Sequence, residues 1–430
     1  MKFSNYNFAE NNRIYWENSK NNFQITKKKL KNKYDVVIVG GGLTALSTAY
    51  HLDKNKTVLI IDKSTIGYGG SSRNGGFCCL GGTKLSYKEI EERFGVNEAL
   101  NFFSIQKEAI DLVKEILSKS VSKNEFGEIT YYYNEKKLKN DLNEFTYFKK
   151  KSNFEFDVYD KNFLYKNNLF VQNSIGAIKA NYGFGINPKD LVFKLLDKIK
   201  KNQNIDFIEN SEVLSIEKIK FEEYEVETNE KKIKSKKCII ATNGYLNNKK
   251  LNKTIYNNLI PALSNILVTE PINEDNFHKW KTFIPCADSL PLLHYFRLLK
   301  DNRIMFGGRG GHSYLNTNTY RQILQNDFTT MFPEFADIKI DYFWRGLVGV
   351  TRDKIAHLGE ENGIYYAYGY NGNGVSLSTY FGKLLAEIID KKIQLNSLPK
   401  CLTNKPQSMP FADLKKLYLF MAYQYYKIKN

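Results

Sequence analysis

Glycines spaced as Gly40-x-Gly42-x-x-Ala45, followed by Asp62, are the residues near the start of the chain best suited to chemistry. The first glycine of such a motif permits a tight turn, and the second lets the backbone approach a pyrophosphate. The third position requires only close packing of a helix on a strand, so the alanine methyl is tolerated. A carboxylate about 20 residues further on accepts hydrogen bonds from ribose hydroxyls. The spacing therefore predicts a dinucleotide site.

A strand–turn–helix–strand unit must position these residues. An apolar strand, "VVIVG", starts after Asp35, and a helix is predicted from about Leu43 to Leu52, with "TVLIID" as the second strand. The first helical turn, with Leu43 and Thr44, presents free N–H groups and a partial positive charge to phosphate. Lys63 directly follows the acid at the strand end and belongs to the same predicted site.

A second loop distinguishes between the dinucleotides. The glycine- and hydroxyl-rich stretch "GYGGSSRNGG" (67–76) comes directly after the second strand. A domain that binds only a nicotinamide dinucleotide has no use for it, whereas a longer flavin dinucleotide needs further main-chain contacts. This loop, "IIATNGYL" and "GYNGNGV" together resemble the D-amino-acid oxidase superfamily of FAD enzymes. FAD, rather than NAD, is therefore the predicted cofactor.

The resemblance extends to one branch of that superfamily. The segments "SSRNGGF", "VTEPI", "YFRLLKDNRIMFGGR", "MFPEFADIKIDYFWRG", "GYNGNGVSLSTYFGKLLAEI" and "MPFADLKKLYLFMAYQYYKIK" occur in the order and spacing of the gamma-glutamylputrescine oxidase-like branch. The resemblance implies oxidation of the C–N bond of an amine or amino acid, gamma-glutamyl amines included, by hydride transfer to flavin N5. The imine that results would hydrolyse. Reoxidation by oxygen, as in an oxidase, is the first expectation, and a dehydrogenase that uses a quinone or carrier is the alternative.

The resemblance also implies which residues contact FAD. The main chain at Val213 would hold the adenine, and the glycine turn at 372–375 would lie at the isoalloxazine ring. Asn373 stands where the family often has histidine; its amide forms hydrogen bonds but does not titrate near neutrality. The implied cofactor residues are Gly40, Gly42, Leu43, Thr44, Asp62, Lys63, Ser71, Ser72, Arg73, Asn74, Gly75, Val213, Gly372, Gly374 and Val375.

Arg309 is the leading candidate for a substrate-binding residue. It follows the strand "RIMF" in a chain that otherwise prefers lysine, and a guanidinium fork suits a carboxylate better than an ammonium does. Tyr295 and Trp344 are the expected walls over the flavin, and Asn373 completes the predicted catalytic set. Further candidates are Arg297, Arg345 and Arg352, with ion pairing as their alternative role, and His294 and His312 as bases.

The predicted fold class is mixed α/β. A Rossmann-like FAD-binding domain is interleaved with a substrate domain built on a mixed or antiparallel sheet. Little strand signal is present in 123–170, whereas 87–122 has helical spacing and Asn187-Pro188 opens another helix. The predicted bounds are a lead-in at 1–33, the FAD-binding domain at 34–100, 171–254 and 344–400, the substrate domain at 101–170 and 255–343, and a helical tail at 401–430.

The helical tail carries apolar residues at helical spacing over 411–428. Packing onto the body of the protein is the expected role of that face, with a membrane surface as the alternative.

Bulk composition excludes several function classes. The formal charge of +17 comes mostly from lysines spread along the chain, so nucleic-acid binding is not expected, although an RNA-binding flavoprotein is a stated alternative. The five cysteines show no disulfide or metal spacing, which predicts a reducing, cytoplasmic location and no metal. No cysteine lies between Cys286 and Cys401, where a flavin tether would sit, so FAD is expected to bind non-covalently. No secretory signal or spanning apolar run is predicted.

Overall fold

The computed structural model describes residues 14–18, 25, 29–273, 277–278, 280–308 and 317–429. The helices are α1 Leu43–His51, α2 Gly70–Arg73, α3 Tyr87–Phe94, α4 Val96–Leu117, α5 Glu135–Lys151, α6 Lys161–Lys166, α7 Pro188–Ile199, α8 Lys253–Asn258, α9 Thr317–Met331, α10 Val375–Ile389, α11 Lys400–Thr403 and α12 Lys415–Lys429. The strands are β1 Lys33–Val39, β2 Val58–Ile61, β3 Phe77–Cys78, β4 Phe126–Tyr132, β5 Phe156–Asp160, β6 Gly176–Gly185, β7 Ile205–Ile208, β8 Val213–Lys220, β9 Glu223–Thr228, β10 Lys232–Ile240, β11 Leu259–Thr269, β12 Cys286–Asp288, β13 His294–Leu298, β14 Ile304–Gly308, β15 Ile340–Thr351, β16 His357–Glu361 and β17 Ile364–Tyr368.

The first sheet contains the predicted strand–turn–helix–strand unit. Its order is β16-β17-β10-β1-β2-β7, with β8 and β9 attached beside β10. Strand β1 pairs in parallel with β2 and with β10, and residues 36–39 and all of β2 are buried. Continuous apolar runs suit such strands because helices cover both faces of a parallel sheet. Helix α1 connects β1 to β2, as predicted.

The second sheet is mixed. Its order is β15-β11-β14-β13-β12-β4-β6-β3, with β5 beside β6. The neighbours are antiparallel apart from the pair β4–β12. A Rossmann-like sheet combined with a mixed sheet confirms the predicted fold class.

Sheet membership differs from the predicted domain bounds in three places. Strand β6, expected in the FAD-binding domain, pairs with β4 and β5 of the second sheet. Strand β15 extends to Thr351 in that sheet, past the expected boundary at 344. Helix α4 packs with α10 in the core of the first sheet, although 101–117 was expected in the substrate domain. We therefore propose a domain division that follows the two sheets.

Local signals predicted the starts of α1 and α7. The helical stretch at 87–122 is two helices, α3 and α4, separated at Gly95, whose φ of 102° ends the first. Asn187 caps α7 by accepting from the Lys189 N–H at 3.0 Å, with Pro188 in the first turn. Residues 123–170 contain the strands β4 and β5, although the sequence carries little strand signal there.

The C-terminal helix α12 differs from its predicted role. Among its described side chains only Lys415 and Tyr423 are buried, whereas Leu417 and Met421 are 48% and 47% exposed. The Lys415 ammonium packs on the Tyr256 ring at 3.5 Å from its centroid, so the side of the helix with Lys415 and Tyr423, and not the predicted apolar face, meets the body. None of the helices in the described part of the chain combines the length and apolar character needed to cross a bilayer.

Candidate functional site

A cavity of about 870 Å³ lies between the two sheets. Its walls combine the glycine turn after β1, the end of β2, the loop at 68–75, the start of β8 and the turn before α10 with residues of β4, β11, β12 and β13. Ligand sites in proteins are commonly clefts of roughly 300–1,000 Å³. One cavity therefore joins the predicted cofactor residues to the second sheet.

Two helices begin at this cavity without side-chain caps. Helix α1 follows Gly42 and α10 follows Gly374, and neither N-cap residue offers a side-chain acceptor. Gly40 makes the first turn possible: its φ is 100°, and a Cβ there would lie 2.9 Å from the Ala241 carbonyl oxygen. The first-turn N–H groups of both helices carry partial positive charge. The cavity is therefore suited to a long anionic ligand.

Asp62 lies at the end of β2, as predicted, and lines the cavity. Its carboxylate accepts from the Gly41 N–H at 2.6 Å and the Ser64 N–H at 2.7 Å. Burial raises the pKa of Asp62, while these two N–H groups oppose the rise. Because the carboxylate is partly desolvated, additional donors such as ribose hydroxyls would stabilise its charge.

The loop at 67–76 forms the next wall. The Ser71 hydroxyl accepts from the Leu43 N–H at 2.9 Å, which joins the loop to α1. Arg73 donates to the Tyr68 carbonyl at 2.7 Å, and Asn74 accepts from the Gly76 N–H at 2.7 Å. Of the predicted loop residues, Ser71, Arg73, Asn74 and Gly75 line the cavity, whereas Ser72 does not.

The remaining predicted cofactor residues also line the cavity: Gly40, Gly42, Leu43, Thr44, Lys63, Val213, Gly372, Gly374 and Val375. Lys63 forms a 3.0 Å ion pair with Glu212 near Val213. Asn373 lines the cavity too, and its amide donates to the Leu80 carbonyl at 3.0 Å, which fixes the turn against the segment after β3.

The two predicted aromatic walls have different positions. Tyr295 lines the cavity, and its hydroxyl is 2.8 Å from the Ser264 hydroxyl. Its ring passes close to two backbones: a Cβ would lie 2.9 Å from it at Gly75 and 2.3 Å at Gly307. Trp344 is fully buried and absent from the lining, so the structure does not place it over a ligand.

The candidate cations and bases are mostly held by other protein groups. Arg309 and His312 lie outside the described residues. Arg297 donates to the carbonyls of Ile186 and Gly75 and so helps to fix the position of the loop at 67–76. His294 is buried between Asp288 and Asp327, at 2.6 and 3.3 Å. Burial opposes its protonation, but these two carboxylates prevail and raise the pKa of His294 to about 9. It is a cation at neutral pH, not a free base. Arg345 donates to Asn265, and Arg352 donates to the Ser408 carbonyl.

Four charged residues in the lining were not predicted from the sequence: Lys84, Glu128, Glu212 and Asp288. Lys84 follows β3, and Glu128 lies on β4. The only sequence signal for Lys84 is its position after a glycine pair, Gly81-Gly82. For Glu128 it is a short alternation in "GEITYY", which the surrounding charge obscured.

The residues present suit a flavin dinucleotide. Two helix N-termini with glycine N-caps, a partly desolvated carboxylate at a strand end and a cavity continuing to a second sheet match the phosphates, the ribose and the extended ring that such a group brings.

Known proteins similar to this chain point the same way. The family described as FAD dependent oxidoreductase matches residues 35–388. The chain is 27% identical over 402 residues to the "Probable oxidoreductase OrdL" of Haemophilus influenzae, with 90% of each covered. It is 27% identical over 363 residues to the "Gamma-glutamylputrescine oxidoreductase" of Escherichia coli, with 83% of each covered. The solved glycine oxidase of Geobacillus kaustophilus has a TM-score of 0.70 at 18% identity, covering 85% of this chain and 96% of that one.

Proposed function

The chain belongs to the FAD-dependent oxidoreductase family, and on that basis we propose that it oxidises the C–N bond of an amine or amino acid. FAD is the cofactor. The observation that carries the proposal is the continuous cavity, which runs from Asp62 and the α1 N-terminus to Tyr295 on the second sheet. The names of relatives that act on gamma-glutamylputrescine and on glycine support the choice of a C–N bond.

We assign roles to this chain's residues as follows. The first turn of α1 would bind the phosphates of FAD, and the first turn of α10 would lie at its isoalloxazine ring. Asp62 would accept a hydrogen bond from the ribose, and the Val213 main chain would hold the adenine. When bound, FAD supplies two-electron oxidation of the carbon next to nitrogen. Tyr295 closes the substrate side of the cavity and excludes water. The oxidised substrate leaves as an imine, which water hydrolyses to a carbonyl compound and an amine. Arg309 is retained as the proposed anchor for a substrate carboxylate.

The electron acceptor is the second part of the proposal. Oxygen is the first candidate and a quinone or protein carrier the second. The buried, free state of all five cysteines fits the proposed reducing, cytoplasmic location.

The proposal is tested by mixing FAD-loaded protein anaerobically with a panel of amines and amino acids. Bleaching of the flavin absorbance by at least one C–N substrate is expected, and no bleaching by any of them contradicts the proposal. Peroxide release in air identifies an oxidase. Turnover only with an added quinone analogue identifies a dehydrogenase.

A further inference from the structure

Two oppositely charged side chains in the cavity have no role in the function proposed above. Lys84 lies just beyond β3, and its backbone N–H donates to the Lys354 carbonyl at 2.8 Å. Its Nζ would be 3.9 Å from a Cβ on Gly372, in the turn before α10. Glu128 faces the same cavity from β4, in the second sheet. Lys84 keeps a large accessible surface, and it lines the cavity.

Neither charge is neutralised by direct contact. Within the described ranges, the Lys84 ammonium has no hydrogen-bond acceptor, and no ion pair joins it to Glu128. The hydrogen-bonding side chain beside the Glu128 carboxylate is the uncharged thiol of Cys79. The two charges are thus held on separate elements and face the same space.

The two side chains do not touch, but each affects the protonation of the other. Burial raises the pKa of Glu128 to about 7, with Lys84 and Cys79 opposing the rise. The low-dielectric protein around the cavity also lowers the pKa of Lys84, whose side chain is exposed to the cavity, and Glu128 opposes that change. Lys84 is exposed to the cavity and Glu128 is half-buried, so a molecule in the cavity can reach both side chains. A ligand that carries both charges would satisfy both residues.

We propose, building on the oxidation of a C–N bond proposed above, that Lys84 and Glu128 form a subsite for substrates with an ammonium and an acid group close together. The ammonium binds at Glu128 and the anionic group at Lys84. The preferred substrate class is therefore a zwitterion of the amino-acid type, and simple monoamines bind weakly.

Three probes of one shape separate the two charges. They are 2-aminoisobutyrate, which has both groups; tert-butylamine, which has only the ammonium; and pivalate, which has only the carboxylate. None has a hydrogen on the carbon that would be oxidised, so the test measures binding and not turnover. Binding to FAD-loaded protein is followed by calorimetry and by changes in flavin absorbance.

The variants are Glu128→Gln and Lys84→Met, each with a matched control. Glu212→Gln removes a carboxylate that lines the other end of the cavity, and Lys354→Met removes an exposed ammonium next to Lys84 in the fold. The wild-type protein should bind 2-aminoisobutyrate about tenfold or more tightly than either single-charge probe. Glu128→Gln should weaken tert-butylamine about tenfold and leave pivalate no weaker. Lys84→Met should weaken pivalate about tenfold and leave tert-butylamine no weaker. Both control variants should bind 2-aminoisobutyrate more tightly than either single-charge probe, as the wild type does.

Several results would overturn the subsite. They are equal affinities for the three probes, failure of all three to bind the wild-type protein, or charge variants that match their controls. Loss of pivalate binding in Arg309→Lys but not in Lys84→Met would move the anionic half to Arg309 and overturn the assignment of Lys84. Flavin content and circular dichroism show whether each variant is folded and loaded. Failure of the proposed function would be seen separately, because no oxidisable amine would then decrease the flavin absorbance of the wild-type protein.

Discussion

The indole N–H of Trp344 donates a 2.7 Å hydrogen bond to the backbone carbonyl of Arg73. Trp344 lies on β15 in the second sheet, and Arg73 ends the short helix α2 in the loop that lines the cavity. The bond therefore ties the cofactor-side loop to the opposite sheet. We infer that Trp344 positions the loop from outside the cavity and does not cover a bound flavin ring.

Trp344→Phe should lower both stability and FAD affinity. The change removes a buried donor, and a buried carbonyl without its partner costs about 1–3 kcal/mol. Urea unfolding and titration of apoprotein with FAD measure the two effects. The control is Trp280→Phe, because Trp280 is equally buried in the second sheet's core and is not in the cavity lining. If both variants bind FAD equally well, the Trp344 bond does not position the loop.

Asp62→Ala should weaken FAD binding by one to two orders of magnitude while the protein stays folded. The estimate follows from the loss of a charge-assisted hydrogen bond, worth about 1.5–3 kcal/mol. Quenching of flavin fluorescence on titration gives the dissociation constant. Asp53→Ala, at an exposed aspartate just beyond α1, serves as the control and should bind FAD as the wild type does. An unchanged constant for Asp62→Ala would remove the acid from the cofactor site.

The purified protein should be yellow, and denaturation should release its flavin. All five cysteines are buried, and Cys78 and Cys79 have thiol pKa values raised by burial, which disfavours the reactive thiolate. Precipitation with acid followed by absorbance of the supernatant tests this directly. Flavin that remains with the precipitated protein would contradict only the expectation of non-covalent binding. A protein that stays colourless after FAD supplementation would contradict the cofactor assignment.

His294 should stabilise the fold at low and neutral pH and lose that effect in alkali. Its pKa is about 9 in the fold against an ordinary 6.5, so its contribution is complete below 6.5 and disappears as pH rises through 9. A pKa difference of one corresponds to about 1.4 kcal/mol, so the full effect is roughly 3 kcal/mol. The excess stability of wild type over His294→Gln, from urea unfolding, should shrink by that amount between pH 6 and 10.

His51 provides the opposite control. Burial lowers the pKa of His51, and the hydrogen bond to the Ser47 carbonyl opposes this without reversing it, so His51→Gln should show no comparable loss between pH 8 and 10. A constant difference between wild type and His294→Gln across the range would mean that His294 is not held as a cation by Asp288 and Asp327.

The first sheet and its glycine turns were predictable because their signals are local. Gly40 and Gly42 are required by backbone geometry, and Asp62 follows from strand length alone. The cavity lining from the second sheet was less predictable. Which residues of β13 and β15 face a ligand depends on strand register and on the neighbouring sheet, so Tyr295 and Trp344 looked equivalent in sequence. Lys84 and Glu128 line one cavity only because β4 and the segment after β3 converge in three dimensions.

The helix α12 illustrates another limit. The helical period reveals that an apolar face exists but not which way the helix is turned. Here the Lys415 ammonium packs on Tyr256 and Tyr423 is also buried, and isolated buried residues of this kind have no periodic signal.

The late closure of the first sheet has a consequence for synthesis. Strand β1 is made first, but β17, which extends its parallel run beyond β10, ends only at Tyr368. Helix α1 then receives its partner α10, packed so closely that a Cβ on Gly382 would lie 2.5 Å from the Thr44 carbonyl oxygen. A ribosome must therefore synthesise the chain as far as α10 before that helix can cover α1. Nascent chains stalled earlier should expose that apolar face to chaperones.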